Sequence, residues 1–128
     1  MTTQPRILLA EDEKIAADYL TQSLHRMGYE VTNVVQTGEE AIERADEDKP
    51  DLVLMDITLG GKINGIAAAQ TLHGQTDIPI IYLTADTNDH IFELAKLTEP
   101  YAYLVKPYEL SQLKHAIELA LFKHGFEK

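Results

Sequence analysis

Short apolar runs alternate with longer amphipathic segments along this chain. Five runs predict β-strands at residues 6–10, 29–35, 51–56, 78–83 and 101–105. The run at 51–56 lacks the polar alternation of a strand with one face in water. We therefore expect it to be buried on both faces, as in a parallel sheet.

Apolar residues between these runs recur at helical spacing and predict five helices. Gly28 and Pro50 mark the ends of the first two, Asn64 caps a third at about 65–72, and a fourth spans 88–97. The residues expected on inner faces are Ala16, Leu20, Leu24 and Met27 with Tyr19 beside them, then Ala41, Ile42 and Ala45, then Ile91, Leu94 and Ala95, and finally Leu110, Leu113, Ile117 and Leu121 in a helix that ends at about Lys123. The fivefold alternation predicts an α/β fold, a doubly wound parallel sheet with helices on both faces.

Composition narrows the class of protein. At 128 residues the chain is long enough for one domain with a genuine core. It contains no cysteine, which excludes disulfides and thiolate metal sites and fits a cytoplasmic location. No apolar run is long enough to span a membrane. The net charge of −10 argues against a nucleic-acid-binding surface. An acid excess most commonly serves solubility alone, but it can also include a carboxylate cluster that holds a cation.

Four of the five predicted strands are followed by a side chain capable of chemistry. Glu11 and Asp12 follow the first strand, Asp56 ends the third, Thr84 follows the fourth and Lys106 follows the fifth. Parallel strands present their carboxyl ends at one edge of a sheet, so the fold would bring these groups together. Three close carboxylates repel one another and favour a hard cation such as Mg²⁺.

This set of groups is suited to phosphoryl transfer. Asp56 would be the nucleophile that forms an aspartyl-phosphate, while Lys106 and the Thr84 hydroxyl would contact phosphoryl oxygens. Each residue also has a simpler interpretation. A single Asp at a strand end is often a helix cap, the Glu11–Glu13 acids can favour a helix N-terminus, and Thr84 can cap the next helix.

The ordered set of motifs resembles the response-regulator receiver domains of the CheY-like type, over residues 6–121. The motifs are Glu11-Asp12, Asp56 after an apolar strand, Asn64-Gly65, Thr84-Ala85, Lys106-Pro107, and Tyr103 three residues before the lysine. The resemblance implies a single receiver domain at 1–128 with a flavodoxin-like sheet in the order 2-1-3-4-5. It also implies a signalling switch, not an enzyme, that catalyses only its own phosphorylation and dephosphorylation.

The resemblance further implies specific roles. Asp56 would accept a phosphoryl group from a phosphohistidine of a sensor kinase or phosphotransfer protein. By the same resemblance, Mg²⁺ would be held by Glu11, Asp12, Asp56 and the Thr58 carbonyl, and the phosphoryl group would contact Thr84 and Lys106. The switch would involve Thr84, Ala85 and Tyr103, and the Lys106–Pro107 bond would be cis. Thr58 and Asp86 would tune the rate of dephosphorylation. Partners would read a face formed by helix four, strand five and helix five, which can also support a homodimer.

Two features depart from the commonest family pattern. The first acid is Glu11, where aspartate is commoner, and the loop after Asp56 contains an additional residue around Gly60-Gly61-Lys62, which leaves its partner contacts open. Two other functions compete. A pseudo-receiver would bind partners without phosphorylation, and a Mg²⁺-dependent phosphohydrolase would need an acid where Thr58 stands. The chain ends after the fifth helix, so we expect either a stand-alone receiver or part of a larger regulator or hybrid kinase, with any output domain elsewhere.

Overall fold

Alternating strands and helices build the protein, as a computed structural model that describes residues 4–126 shows. The strands are β1 (Arg6–Ala10), β2 (Glu30–Val35), β3 (Leu52–Asp56), β4 (Ile80–Thr84) and β5 (Ala102–Val105). The helices are α1 (Lys14–Arg26), α2 (Gly38–Asp48), α3 (Gly65–Gln75), α4 (Asp89–Lys96) and α5 (Leu110–Lys123). No helix within this described part is long and apolar enough to cross a bilayer.

The five strands form one parallel sheet in the order β2-β1-β3-β4-β5. The predicted fold class and strand order are therefore confirmed. All five residues of β3 are buried, because strands lie on both sides of it and helices cover both faces. The register pairs Ala10 with Met55 and Asp56 with Leu83, so the carboxyl ends of β1, β3 and β4 lie side by side.

Two hydrophobic layers sandwich the sheet. One lies between the sheet and helices α2, α3 and α4, and it includes Val53, Met55 and Tyr82. The other lies between the sheet and helices α1 and α5, and it includes Leu54 and Leu83. Successive strand residues point to opposite faces, so one apolar run supplies both layers.

The predicted element ends differ from the structure by one to three residues in several places. Helix α3 continues to Gln75, beyond the predicted end at Leu72. Strand β4 begins at Ile80, not Ile78, since Pro79 has no N–H to donate to a neighbouring strand. Strands β2, β3 and β5 each begin one residue later than predicted.

Two helices present a different inner face from the predicted one. In α1 the buried alanine is Ala17, whereas Ala16 is only partly buried and Tyr19 is exposed. In α4 Ala95 is fully buried, but Leu94 is 40% exposed. Adjacent helical residues are rotated by about 100°, so a neighbour of a buried position turns away from the sheet.

Candidate functional site

Asp56 lies at the centre of the carboxyl edge of the sheet and is almost completely buried. Its Oδ1 accepts hydrogen bonds from the backbone N–H of Thr58 at 2.9 Å and from the Thr58 hydroxyl at 3.1 Å. Its Oδ2 accepts a hydrogen bond from Lys106 Nζ at 3.0 Å. Both oxygens are therefore oriented by fixed donors, as a positioned nucleophile requires.

A cluster of three acids surrounds this position. One carboxylate oxygen each from Glu11, Asp12 and Asp56 lie within 4.8 Å of one another. Glu11 is buried, and Asp12 is exposed. Burial raises the pKa of Glu11, while the hydrogen bond from Lys106 opposes that rise. Carboxylate oxygens at this spacing fit a hard divalent cation such as Mg²⁺.

Lys106 connects two of these acids. Its Nζ donates to Glu11 Oε1 at 2.9 Å and to Asp56 Oδ2 at 3.0 Å. Burial alone would lower the pKa of Lys106, but the hydrogen bonds to both carboxylates outweigh it and raise the pKa to about 12. The ammonium therefore remains charged at neutral pH and provides the countercharge inside the acid cluster. The peptide bond that follows this lysine, Lys106–Pro107, is cis, as the resemblance implied.

Thr84 is the last residue of β4 and is fully buried. Its Oγ1 accepts a hydrogen bond from the backbone N–H of Asp86 at 3.0 Å. It does not cap α4, since Asn88 performs that role by accepting a hydrogen bond from His90 N–H at 2.7 Å. Ala85 and Asp86 are exposed. Thr84 therefore stands one residue beyond Leu83, the strand partner of Asp56, and its hydroxyl is bonded to the turn that follows β4.

Tyr103 lies on β5 with its ring beneath α4. The ring contacts Tyr82 and Phe92 edge to face, with centroids 6.2 and 5.1 Å apart. Its hydroxyl is 3.5 Å from the Asp86 carbonyl oxygen, the far limit of a hydrogen bond. This aromatic residue therefore contacts the same β4–α4 connection that carries Thr84 and Asp86.

The loop after Asp56, whose contacts the sequence left open, is fastened to the start of α2. The Glu39 carboxylate accepts hydrogen bonds from Lys62 N–H at 3.1 Å and Ile63 N–H at 3.3 Å. The donated hydrogen bond from Lys62 lowers the pKa of Glu39. Gly60 N–H donates to the Gln36 carbonyl at 3.2 Å. Sequence reasoning missed Glu39, because a glutamate in a first helical turn is common for the helix dipole alone.

The structure gives a steric reason for glycine at position 65, which the Asn64-Gly65 motif alone did not supply. A Cβ atom there would lie 2.1 Å from the Asp56 carbonyl oxygen, far closer than any contact allows. The N–H of Gly65 also donates to the Ile57 carbonyl at 2.9 Å. The start of α3 therefore packs directly against the backbone of the central acid, which only glycine permits.

Comparison with known proteins identifies the family. A family model described as the response regulator receiver domain matches residues 7–118. The chain therefore belongs to the response regulator receiver domain family. Members of this family are signalling proteins of two-component systems, switched by phosphorylation, and are not classical enzymes.

Curated relatives are longer than this chain. The transcriptional regulatory protein PdtaR of Mycobacterium tuberculosis is 40% identical over 116 residues, which cover 91% of this chain and 56% of PdtaR. The DNA-binding response regulator MtrA of the same organism is 32% identical over 126 residues, covering 98% of this chain and 54% of MtrA. The chain thus spans about half the length of the curated relatives it matches.

Solved receiver domains have the same fold. The signal receiver domain of a modulated diguanylate cyclase from Desulfovibrio desulfuricans G20 superposes with a TM-score of 0.90 at 36% identity, covering 98% of this chain and all of that one. The BeF3-activated N-terminal receiver domain of Klebsiella pneumoniae RstA gives a TM-score of 0.85 at 30% identity, covering 91% of this chain and 97% of that one.

Proposed function

We propose that Asp56 is the phosphoacceptor of a Mg²⁺-dependent switch that takes its phosphoryl group from a phosphohistidine on a sensor kinase or phosphotransfer protein. The observation that supports this most directly is the position of the Asp56 carboxylate, which Thr58 and Lys106 orient beside Glu11 and Asp12. We further propose that the chain acts as one receiver domain in the cytoplasm.

The transfer exchanges one bond for another. A carboxylate oxygen of Asp56 attacks phosphorus, the P–N bond to the donor histidine breaks, and the leaving ring nitrogen keeps the electron pair and takes a proton from water. Lys106, already charged within the cluster, then contacts the transferred phosphoryl oxygens as a point charge. Glu11, Asp12, Asp56 and the Thr58 carbonyl would hold Mg²⁺, which supplies charge neutralisation when bound.

Release of the phosphoryl group depends on attack by water. We propose that Thr58 and Asp86 border the path of that water, because Thr58 contacts Asp56 and Asp86 follows Thr84 by two residues. Replacing each with alanine and timing loss of the acyl phosphate tests this role. Lifetimes equal to the parent's in both variants would contradict it.

The readout would begin at Thr84. Its hydroxyl oxygen accepts a hydrogen bond from Asp86 N–H, and its own proton can be donated to a phosphoryl oxygen on Asp56 as a new partner. Drawing this turn inward, past the small Ala85, changes the space next to Tyr103. The face that partners would read contains exposed or half-buried residues of α4, β5 and α5, namely Ile91, Phe92, Lys96, Leu97, Tyr103, Val105, Tyr108 and Gln112. The same face could join two copies of the chain.

Labelling with a small phosphodonor tests the central assignment. The parent chain, incubated with Mg²⁺ and acetyl phosphate, should gain one phosphoryl group by intact mass, and Asp56→Asn should gain none. Asp46→Asn is the matched control, since that carboxylate is exposed on α2. Equal labelling of Asp56→Asn and the parent would refute the assignment. A parent that neither labels nor binds beryllofluoride would favour a pseudo-receiver, and turnover of a generic phosphate ester would favour a phosphohydrolase.

A further inference from the structure

A buried hydrogen-bonded chain joins the sheet to the turn after α4. Tyr82, on β4, is fully buried, and its hydroxyl lies 2.7 Å from Oγ1 of Thr98, which is 6% exposed. The Thr98 hydroxyl donates in turn to the Ala95 carbonyl at 2.7 Å. Since the threonine proton is used on Ala95, the tyrosine hydroxyl must be the donor to Thr98. The direction of the chain is thus fixed from β4 to the last turn of α4.

The backbone at this end of α4 is also held. Thr98 N–H donates to Ala95 O at 3.0 Å, and Tyr101 N–H donates to Ile80 O at 2.8 Å, which starts the pairing of β5 with β4. Ala95 itself is fully buried against the sheet. These groups are buried and have little access to water, so loss of one hydrogen bond would leave a buried polar atom without a partner.

The opposite end of α4 is held mainly by short-range bonds. It meets the sheet at Asp86, whose N–H donates to Thr84 at the end of β4 at 3.0 Å and whose carbonyl lies 3.5 Å from the Tyr103 hydroxyl, the far limit of a hydrogen bond. The Asp86 carboxylate accepts a hydrogen bond from Asn88 N–H, and the Asn88 side chain accepts one from His90 N–H. Residues 85–90 are all exposed. The two bonds from Asn88 to Asp86 and from His90 to Asn88 can move with the segment as a unit, because both lie within it.

Tyr82 also supports the aromatic residue of the switch. Its ring packs edge to face against Tyr103, which packs in the same way against Phe92 of α4. The one tyrosine therefore fixes the carboxyl end of α4 through its hydroxyl and forms a contact surface for Tyr103 through its ring.

We propose that Tyr82 and Thr98 form a pivot that pins the carboxyl end of α4 to β4, so that switching moves the amino end of α4 about a fixed point. This inference rests on the proposed function, for which Asp56 carries the signal. It assigns Tyr82 and Thr98 as positioning residues. The state-dependent part of the partner-reading face is then the half of α4 near Phe92, while Leu97 remains stationary.

Hydrogen exchange measured by mass spectrometry, with and without beryllofluoride, tests the pivot. In the parent chain, beryllofluoride should change exchange at 85–92 and leave exchange at 95–101 as it was. Tyr82→Phe keeps the ring and removes the hydroxyl. Loss of one buried hydrogen bond should raise exchange at 95–101 on the order of fivefold, with or without beryllofluoride. Labelling of Asp56 by acetyl phosphate should stay at the parent rate, because Tyr82 does not contact the acid cluster.

Two further variants separate the hydroxyl from general packing. Thr98→Val should reproduce the effect of Tyr82→Phe, and Thr98→Ser should restore slow exchange, since serine keeps the hydroxyl. Tyr29→Phe is the matched control, because Tyr29 is a buried tyrosine in the hydrophobic layer on the other face of the sheet. It should leave exchange at 95–101 unchanged.

Three results would overturn the pivot. One is equal response of 85–92 and 95–101 to beryllofluoride in the parent. Another is unchanged exchange at 95–101 in both Tyr82→Phe and Thr98→Val. The third is an increase of the same size in β1 and β3, which would mean general destabilisation. If beryllofluoride fails to bind the parent, the proposed function fails, whereas the comparison of variants without beryllofluoride still decides whether Tyr82 and Thr98 pin the carboxyl end of α4.

Discussion

The connections that follow β3 and β4 both border Asp56, but they are held in opposite ways. The β3–α3 connection is tied to a distant element, since Glu39 of α2 binds the N–H groups of Lys62 and Ile63. The β4–α4 connection is held mainly by short-range bonds, from Asp86 N–H to Thr84 at the end of β4 and from Asn88 N–H to the Asp86 carboxylate. The Tyr103 hydroxyl adds one long contact of 3.5 Å to the Asp86 carbonyl. One side of Asp56 is tied to a distant helix, and the other is held mainly by bonds between residues that are close together in the chain.

This difference suits two separate requirements of the proposed function, the transfer of a phosphoryl group and the conformational change that partners would detect. A nucleophile and its cation ligands need fixed positions, because small misplacements of reacting groups cost much of the rate. A switch needs a segment whose alternative arrangement lies close in free energy. The proposed function would meet both needs, because Asp56 lies between a loop tied to α2 and a connection held mainly by short-range bonds. The experiments below test that division, in order of decreasing effect.

The largest effect is expected from Lys106→Ala. Lys106 contacts both Glu11 and Asp56, so its loss removes the fixed countercharge. We expect acetyl phosphate labelling of Asp56 to slow by about 100-fold, the scale for one lost electrostatic contact in a site of this kind. Lys123→Ala, at the far end of α5, is the control. A rate within the error of the parent's would show that the lysine is dispensable for chemistry.

Thr84→Ala tests the locally bonded side. We expect labelling to slow by roughly tenfold, the loss of one hydrogen bond to the phosphoryl group. The exchange response of 85–92 to beryllofluoride should disappear, and Thr84→Ser should restore it because serine keeps the hydroxyl. If the alanine variant responds as the parent does, the hydroxyl is not the link between acceptor and readout.

Glu39→Ala tests the fastening of the β3–α3 loop. Without the Glu39 carboxylate, the loop that carries the Thr58 carbonyl loses two hydrogen bonds. We expect Mg²⁺ affinity to fall by roughly threefold. The loss is modest because the Glu39 carboxylate is exposed to solvent. Titration calorimetry with Mg²⁺ measures it. Glu43→Ala, exposed on the same helix, is the control. Equal affinity in Glu39→Ala and the parent would mean that the loop keeps its shape unaided.

The same fastening predicts a pH dependence. The Lys62 N–H lowers the pKa of Glu39, so this carboxylate stabilises the loop above the ordinary glutamate pKa. The contribution is lost as the pH falls through the lowered value. After correction for the intrinsic pH dependence of amide exchange, exchange at 60–63 should therefore rise on acidification in the parent and stay constant in Glu39→Gln.

The smallest effect is one on stability, from Glu11→Gln. Burial raises the pKa of Glu11, so the folded state disfavours the charged form relative to the unfolded chain. Without Mg²⁺, the neutral glutamine should raise Tm by a few degrees at pH 7, and the difference should vanish below the ordinary glutamate pKa, where the parent also carries a neutral side chain. Thermal unfolding by circular dichroism measures this. Exposed Glu13→Gln is the control, and a lower Tm for Glu11→Gln at pH 7 would reverse the sign we assign.

Much of the fold followed from the pattern of the chain. The apolar run before Asp56 and the alternation of strand and helix predicted a parallel sheet, and the strand order 2-1-3-4-5 came from the resemblance to receiver domains. Element ends were less accurate, as at Ile80 and Gln75, because the last residues of a strand or helix depend on neighbours that pair with them.

The inner faces of short helices were harder to predict. In α4, both Leu94 and Ala95 suit an apolar face, yet only Ala95 is buried. The choice between adjacent residues depends on the rotation of the helix against the sheet, which propensity does not encode. Tyr82 and Thr98 likewise gave no signal, since a tyrosine in a strand and a threonine in a turn have no pattern that reveals a shared hydrogen bond.

The sequence by itself determined which groups stand at the strand ends, because the apolar period and the positions of Glu11, Asp56, Thr84 and Lys106 are local properties of the chain. Only the tertiary structure decided which of the two connections is tied to a distant helix. Glu39 meets Lys62 across 23 residues of sequence, and a hydrogen bond between them exists only once α2 has packed beside the loop. Long-range contacts of this kind are set by how elements pack, so they appear in the fold and not in the sequence pattern.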